Sequence, residues 1–253
     1  MSGALNGKAV VVTGAGAGIG LGIVKAAVDA GARVLGVTLE PDHRVAVEDA
    51  GGVFFGADIG VVETPGRMIE QAVRLFGRVD GLVGNAGLTI EEPFLEMTVG
   101  VLDQMWRVNQ RGAALSAQAA ARAMVAGGHG GSIVMIGSNH ARSSLAGYEG
   151  YAGTKAALPA MGRAMAWSLG PHAIRVNTLA PGLTETEALA AALRQDPALR
   201  AAFAAAHATG RWNSTAEVAA VAVFLLSDAA TALSGAEIIA DQGMSARLGR
   251  FEG

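Results

Sequence analysis

The sequence predicts one α/β domain built on a doubly wound, seven-stranded parallel sheet with helices on both faces. Short, continuous apolar runs alternate with segments of helical periodicity along the 253 residues. Such runs are typical of strands that are buried on both faces of a parallel sheet. The alternation is not interrupted by a Pro/Ser-rich linker or by an internal repeat. Strand–helix–strand units of this kind connect with right-handed crossovers and build a doubly wound sheet.

The predicted strands are short and end at glycine or polar residues. The first apolar run, Ala9-Val-Val-Val-Thr13, leads into a glycine-rich segment, which predicts a turn from a strand into a helix. The seven predicted strands are residues 9–13, 33–37, 53–57, 81–84, 132–136, 174–179 and 237–240.

The predicted helices lie between these strands. Thr64-Pro65 is typical of an N-cap followed by proline at the first helical position. The helices are predicted at residues 19–29, 43–50, 64–76, 102–124, 151–169, 187–194, 197–206 and 215–226. Residues 183–213 add two helices between a strand and the next regular helix, and we expect this insertion to cover a substrate.

Pro159 falls inside the predicted helix at residues 151–169. Proline has no N–H to donate to the carbonyl four residues earlier, which here belongs to Lys155. The sequence therefore predicts a local kink in this helix.

Composition excludes several classes of function. The net charge is −3 and no basic tract is present, which argues against nucleic acid and anionic membranes as partners. Cysteine is absent, so disulfides and thiol catalysis are excluded, and the five histidines are scattered, so no metal site is expected. No secretory leader or membrane-spanning run is recognised. We expect a cytoplasmic protein that acts on a small molecule.

A glycine-rich loop, Thr13-Gly-Ala-Gly-Ala-Gly-Ile-Gly20, joins the first strand to the first helix. Glycines permit a tight turn and close approach of the backbone to a ligand. The N-terminus of the following helix offers free N–H groups and a positive dipole end to a pyrophosphate. The loop alone is a moderate signal, because some glycine-rich turns have no ligand.

Tyr151 and Lys155 are four residues apart, so they share one face of the predicted helix. A tyrosine titrates near ~10 in water, and a nearby positive charge lowers the pKa of its phenol. Such a tyrosine is suited to general acid–base catalysis near neutral pH. An isolated Tyr–Lys pair is more often an ordinary half-exposed helix face, so the rest of the chain decides between the two interpretations.

Several further motifs occur in a fixed order with this pair. They are the T-G-x-x-x-G-x-G loop from Thr13 to Gly20, Asn85-Ala86-Gly87, Asn109, Ser138, Tyr151-x-x-x-Lys155 and Pro181-Gly182. In this combination the chain closely resembles the short-chain dehydrogenase/reductase family over essentially its whole length. The resemblance implies a Rossmann-like fold and an NAD(P)-dependent oxidoreductase that acts on CH–OH groups.

The resemblance also implies a role for each matching position. Tyr151 would exchange a proton with the substrate oxygen, Lys155 would assist it and bind the nicotinamide ribose, and Ser138 would hold the substrate oxygen. Asn109 would anchor a water in a proton relay. Cofactor contacts are implied for Gly14, Gly18, Ile19, Gly20, Asp58, Ile59, Asn85, Ala86, Gly87, Tyr151, Lys155, Pro181, Gly182 and Thr184.

Two other side chains near Tyr151 are candidates for the substrate pocket. Tyr148 lacks a lysine four residues later, so we interpret it as a pocket-lining residue. His140 follows Ser138 by two residues and is interpreted as part of the pocket wall, with a substrate hydrogen bond as the alternative. Arg107 and Arg111 on the long predicted helix are most simply interpreted as solvated or as part of a subunit contact.

The coenzyme is less well specified. Thr38 stands where NAD-preferring relatives usually have an acidic residue, and Ala17 stands where NADP-preferring relatives often have a cation. Glu40 would oppose a 2′-phosphate and Arg44 would attract one. The missing loop cation favours NAD over NADP.

The substrate is expected to be a secondary alcohol or ketone. A sugar or polyol, a 3-oxoacyl thioester and a cyclic ketone all remain open. An epimerase or dehydratase is an alternative, although such relatives usually have a larger C-terminal domain. A non-catalytic cofactor-binding regulator is the alternative from another class. The resemblance further implies a homotetramer that pairs the helices at residues 102–124 and 151–169.

Overall fold

The computed structural model describes residues 3–247 and contains the predicted sheet. Seven parallel strands lie in the order β3-β2-β1-β4-β5-β6-β9, and a separate two-stranded sheet pairs β7 with β8. The strands are β1 (Ala9–Thr13), β2 (Arg33–Thr38), β3 (Val53–Gly56), β4 (Gly81–Gly84), β5 (Gly131–Ile136), β6 (Ile174–Pro181), β7 (Thr184–Glu185), β8 (Asn213–Ser214) and β9 (Glu237–Ala240). All seven predicted strands are confirmed, whereas β7 and β8 were not predicted.

The strand order reverses next to β1. The chain adds β2 and β3 on one side of β1, and then returns to place β4 on the other side, in register from Val10 opposite Gly81. Ligands of open parallel sheets bind at the carboxyl ends of the strands, at such a reversal. Thr13 ends β1 and Asn85 follows β4, so the glycine-rich loop and the Asn-Ala-Gly segment meet there.

Nine α-helices surround the main sheet in the described part of the chain. They are α1 (Gly18–Asp29), α2 (Arg44–Asp49), α3 (Thr64–Phe76), α4 (Val99–Met105), α5 (Ala113–Gly127), α6 (Glu149–Leu169), α7 (Glu187–Gln195), α8 (Pro197–Ala206) and α9 (Thr215–Leu226). The helix predicted at 102–124 begins three residues earlier, at Val99, and contains a π-helical segment, Trp106–Gly112, between α4 and α5.

The apolar core is divided by the sheet into two layers. One layer packs α1 and α9 against the strands, with Ile23 and Val218 fully buried. The other packs α3, α5 and α6, with Met68, Ala117 and Leu158 buried. Burial on both faces explains why the strands are continuous apolar runs. The fold is therefore a single Rossmann-like α/β domain.

Helix α6 continues through Pro159, which is buried within it. The kink inferred from this proline stays a prediction. Between residues 3 and 247 no helix is long and apolar enough to cross a membrane.

Candidate active site

The glycine-rich loop turns sharply between β1 and α1. Gly14 has φ 63° and Gly18 has φ 52°, a conformation that favours glycine. A β-carbon on Gly14 would lie 2.8 Å from the Cα of Ala86, and one on Gly20 would overlap the carbonyl oxygen of Gly14. Ala17 precedes α1 without giving it a side-chain cap, so the first N–H groups of α1 remain available to a ligand. The loop fits a pyrophosphate.

Asn85 fixes this loop from the neighbouring strand. Its Nδ2 donates to the carbonyl oxygens of Thr13 at 3.0 Å and Gly14 at 3.1 Å. In return, the backbone N–H groups of Asn85 and Ala86 both donate to Thr13 Oγ1 at 3.0 Å. Thr13 is 2% exposed. The buried hydroxyl and the amide therefore connect the ends of β1 and β4 where a dinucleotide would lie.

A cavity of about 230 Å³ opens beside the loop at the carboxyl ends of β1 to β4. Its walls bring together five of the predicted cofactor residues and add two polar residues from the end of β2. The five are Gly14, Asp58, Ile59, Ala86 and Gly87, and the two are Thr38 and Glu40. The lining fits the adenosine half of a dinucleotide in size and position.

Asp58 is held in place by partners within the chain. Its carboxylate accepts from Arg107 Nη1 at 2.9 Å and from the backbone N–H of Gly60 at 2.7 Å. Arg111 donates to the Gly60 carbonyl oxygen at 2.7 Å and lies over the ring of Trp106. Both arginines therefore bind the loop after β3, which their interpretation as solvated or subunit-contact residues did not include; the Arg107 side chain is also 39% exposed, and the subunit contact stays a prediction.

The end of β2 carries a small polar cluster. Glu40 Oε2 accepts from Thr38 Oγ1 at 3.0 Å and lies 3.5 Å from His43 Nδ1. His43 in turn packs against Gly16, where a β-carbon would overlap its ring. Arg44 lies elsewhere, on the ring of Phe54 and 3.2 Å from a carboxylate oxygen of Glu48. Glu40, rather than Arg44, therefore lines the adenosine cavity.

Lys155 is almost fully buried, with 5% of its surface exposed. Its Nζ donates to the carbonyl oxygen of Ile136 at 2.8 Å and lies 5.8 Å from the ring centroid of Tyr151. A β-carbon on Gly87 would lie 3.3 Å from the same Nζ. Burial lowers the pKa of Lys155 from 10.5 to about 8. The ammonium group thus stands between the Asn-Ala-Gly segment and the catalytic tyrosine candidate.

Asn109 lies within the π-helical segment and is 1% exposed. Its Oδ1 accepts from the N–H of Leu88 at 2.8 Å, and its Nδ2 donates to the Leu88 carbonyl oxygen at 2.8 Å. Nδ2 also donates to Thr154 Oγ1 at 3.1 Å. Asn109 therefore joins the loop after β4 to α6, one residue before Lys155.

His140 connects Ser138 to the rings of Tyr148 and Tyr151. Ser138 Oγ accepts from the backbone N–H of His140 at 3.2 Å. The His140 ring centroid lies 5.6 Å from that of Tyr151 and 4.9 Å from that of Tyr148. The two tyrosine rings are 6.5 Å apart. The two predicted pocket residues thus border Tyr151.

One polar residue beside Tyr148 was not predicted. Glu91 Oε2 accepts from Tyr148 Oη at 2.9 Å, although the two residues are 57 positions apart. Glu91 belongs to the irregular segment after β4, and no motif or periodic pattern marks it. Sequence reasoning offers no signal for a contact of this separation.

Pro181 and Gly182 lie at the end of β6, next to the insertion at 183–213. Thr184 Oγ1 donates to the carbonyl oxygen of Gly182 at 2.9 Å, and β7 begins at Thr184. At the start of α7, the methyl group of Thr186 lies 3.2 Å from where a β-carbon on Gly18 would stand. The insertion therefore reaches back to the glycine-rich loop.

Comparison with known proteins identifies relatives over nearly the whole chain. The family model described as enoyl-(acyl carrier protein) reductase matches residues 14–245. Carbonyl reductase [NADPH] 2 of Sus scrofa is 35% identical, over 94% of this chain and 96% of its own. L-xylulose reductase of Bos taurus is 36% identical, over 96% of this chain and 98% of its own. L-rhamnose 1-dehydrogenase (NAD(P)(+)) of Sphingomonas sp. is 37% identical, over 96% and 98%.

Comparison with solved structures identifies the same kind of protein. A short-chain type dehydrogenase/reductase from Mycobacterium marinum superimposes with a TM-score of 0.87 at 30% identity, covering 96% of this chain and 97% of that one. The chain belongs to the short-chain dehydrogenase/reductase family. It is an NAD(P)-dependent oxidoreductase that acts on CH–OH groups and carbonyls.

Proposed function

We propose that this chain transfers a hydride between NAD(P) and a secondary alcohol or ketone, with Tyr151 as the general acid/base. The observation that carries the proposal is the buried ammonium group of Lys155, which lies 5.8 Å from the Tyr151 ring centroid and beside Gly87. A positive charge at this point stabilises negative charge on the Tyr151 oxygen.

The chemistry divides between coenzyme and protein. A bound nicotinamide would supply the hydride chemistry in both directions, oxidation of the alcohol and reduction of the carbonyl. In the oxidation direction the phenolate oxygen of Tyr151 takes the hydroxyl proton, and in reduction the phenol gives it back. Ser138 Oγ accepts from the N–H of His140 at 3.2 Å and donates to Asn139 Oδ1 only at 3.5 Å, so its hydroxyl would turn to donate to the substrate oxygen.

Asn109 is proposed as a positioning residue in the proton relay. Its side chain is occupied by Leu88 and Thr154. These bonds fix the position of Asn109, and a relay water would bind to its backbone. The pyrophosphate would be bound by Gly14, Gly18, Ile19 and Gly20. The adenine would lie at Asp58 and Ile59, and the cofactor would be flanked by Asn85 to Gly87. Pro181, Gly182 and Thr184 would receive the nicotinamide.

We further propose that NAD is the preferred coenzyme. The carboxylate of Glu40 lines the adenosine cavity, where it would accept hydrogen bonds from ribose hydroxyls and repel a 2′-phosphate. Arg44 is paired with Glu48 and lies on Phe54, so it does not offset that repulsion.

The comparisons support more than one substrate class. The names of the relatives from Bos taurus and Sphingomonas support a sugar or polyol, and the family description supports an acyl thioester. We favour the former, with residues 183–213 as its cover. A homotetramer and a cytoplasmic location complete the proposal, and a regulator without turnover is its alternative.

The Tyr151→Phe variant tests the role of the phenol. We expect turnover of secondary alcohols and ketones, followed by nicotinamide absorbance, to fall at least a thousandfold, because the proton donor and acceptor is removed. Coenzyme binding, followed by nicotinamide fluorescence, serves as the control and should stay within threefold of the parent. Undiminished turnover would remove Tyr151 from the mechanism.

The Glu40→Gln variant tests the coenzyme preference. We expect the parent enzyme to use NAD at least tenfold better than NADP by kcat/KM, and the variant to lose most of that difference, because the repulsion of a 2′-phosphate disappears. Arg44→Ala is the matched control and should leave the ratio unchanged. A parent enzyme that prefers NADP would contradict the proposal.

A further inference from the structure

Three aromatic side chains form a triangle beside the proposed catalytic oxygen. The ring centroids of His140 and Tyr148 are 4.9 Å apart, and those of Tyr148 and Tyr151 are 6.5 Å apart. His140 meets Tyr151 edge-on at 5.6 Å. A substrate whose reacting carbon lies at Tyr151 therefore has Tyr148 and His140 as neighbours.

Glu91 holds the outer end of this triangle. Its Oε2 accepts from Tyr148 Oη at 2.9 Å. The backbone on both sides fixes the pair, because the N–H of Glu92 donates to the carbonyl oxygen of Gly147 at 3.0 Å. Gly147 has φ 85°, and a β-carbon there would lie 3.2 Å from Glu91 Cγ. The carboxylate is thus held against the segment that precedes Tyr151.

The Glu91–Tyr148 pair offers a ligand hydrogen-bond acceptors. The Tyr148 hydroxyl donates its hydrogen bond to Glu91, which raises the pKa of Tyr148. The lone pairs of the Tyr148 oxygen remain available to accept hydrogen bonds. His140 Nδ1 lies 2.9 Å from Ser144 Oγ. Burial lowers the pKa of His140, which favours the neutral ring. The Glu91 carboxylate and the Tyr148 oxygen have lone pairs and no spare proton, so they match ligands that donate hydrogen bonds, as hydroxyl groups do.

We propose that Glu91 and Tyr148 form a hydroxyl-recognising subsite, which selects a neutral ketone or alcohol with a further hydroxyl one or two carbons from the reacting carbon. This inference rests on the proposed function of the same site. Negative charge on Glu91 repels carboxylates and phosphates from the subsite. Glu91 is thereby assigned as a specificity-determining residue.

The test compares substrates that differ by one hydroxyl. The ratio of kcat/KM for 2-hydroxycyclohexanone to that for cyclohexanone should exceed ten in the parent enzyme and fall at least fivefold in Glu91→Gln and in Tyr148→Phe. The ratio for acetoacetate against its methyl ester should rise in Glu91→Gln. A merely structural role would lower turnover of both ketones alike. Glu96→Gln, in the same loop, is the matched control and should keep the parent ratios.

A binding measurement separates this inference from the proposed reaction. Titration calorimetry of 2-hydroxycyclohexanone into Tyr151→Phe with coenzyme bound should give a Kd at least fivefold tighter than in the Tyr151→Phe/Glu91→Gln double variant. Equal Kd values, or equal kcat/KM ratios in parent and Glu91→Gln, overturn the subsite while leaving the reaction intact. Failure of the parent enzyme to turn over any ketone or alcohol overturns the reaction and the inference together.

Discussion

At the scale of single residues, the buried Lys155 lowers the stability of the folded chain. Its ammonium group is buried, with one hydrogen bond to the Ile136 carbonyl oxygen. Burial lowers its pKa from 10.5 to about 8 in the folded chain. Below pH 8 the folded state must keep a buried charge that the unfolded state exposes to water, so the lysine destabilises the fold there.

The sign of this effect predicts a pH dependence for Lys155→Met. The unfolded lysine holds its proton up to its ordinary pKa of 10.5, whereas the folded lysine releases it from about 8. The parent therefore gains stability relative to the variant as pH rises between these values, by about 3 kcal/mol at 1.36 kcal/mol per pKa unit.

Urea unfolding at pH 7 and near pH 10.5 measures this difference. Lys25→Met, at an exposed position of α1, is the control and should show no such change. A parent–variant difference that is constant with pH would contradict the buried charge. The Lys155→Met variant should also lose most of its turnover.

The sequence indicates a chemistry for the site, which stays a prediction, but it does not indicate the contacts between the residues of the site. Tyr151, Lys155 and Ser138 were recognisable because each has a reactive group in a fixed spacing. The pairing of Arg107 with Asp58 and of Tyr148 with Glu91 depends on loops that fold back over 49 and 57 residues. The sequence around each residue does not indicate which distant residue it will contact.

At the scale of elements, the π-helical segment explains how Asn109 can face the loop after β4. Its i→i+5 hydrogen bonds span one residue more than those of an α-helix, which changes the direction of the side chains within it. The seven strands followed from their apolar runs, because burial on both faces leaves a clear pattern. The π-helical segment and the β7–β8 pair leave no such sequence pattern. Strands of two residues, such as β7 and β8, are too short to show a period.

Asn109→Ala should destabilise the fold as well as lower activity. The variant removes both hydrogen bonds to the backbone of Leu88 and the bond to Thr154. A buried N–H or C=O group left without a partner costs about 1–3 kcal/mol; because the Leu88 groups are only part-buried, we expect a loss of about 2 kcal/mol in the free energy of unfolding.

Denaturant unfolding measures this loss. Gln110→Ala, the next residue of the same segment, should cost clearly less, because Gln110 makes no side-chain hydrogen bond within residues 3–247. Equal losses in the two variants would mean that Asn109 does not hold the loop.

At the scale of the whole molecule, an apolar groove of about 630 Å³ runs between α5 and α6. This α5/α6 groove is lined mostly by small or flexible apolar side chains, which let helices approach closely. They include Ala114, Ala117, Ala121, Val125, Met161 and Met165. The two helices are the ones expected to pair in a homotetramer, and a groove of this composition is suited to a second copy of the chain.

Val125→Glu should therefore separate the copies without unfolding the subunit. Val125 is 40% exposed in the single chain, so a carboxylate there stays hydrated in a monomer. Between paired helices the same carboxylate would be buried without a partner, which costs several kcal/mol. Light scattering should give a tetramer for the parent and a smaller species for the variant. Leu75→Glu, at a 44% exposed position of α3 outside the groove, should remain tetrameric. A Val125→Glu protein that keeps the parent mass would remove this groove from the interface.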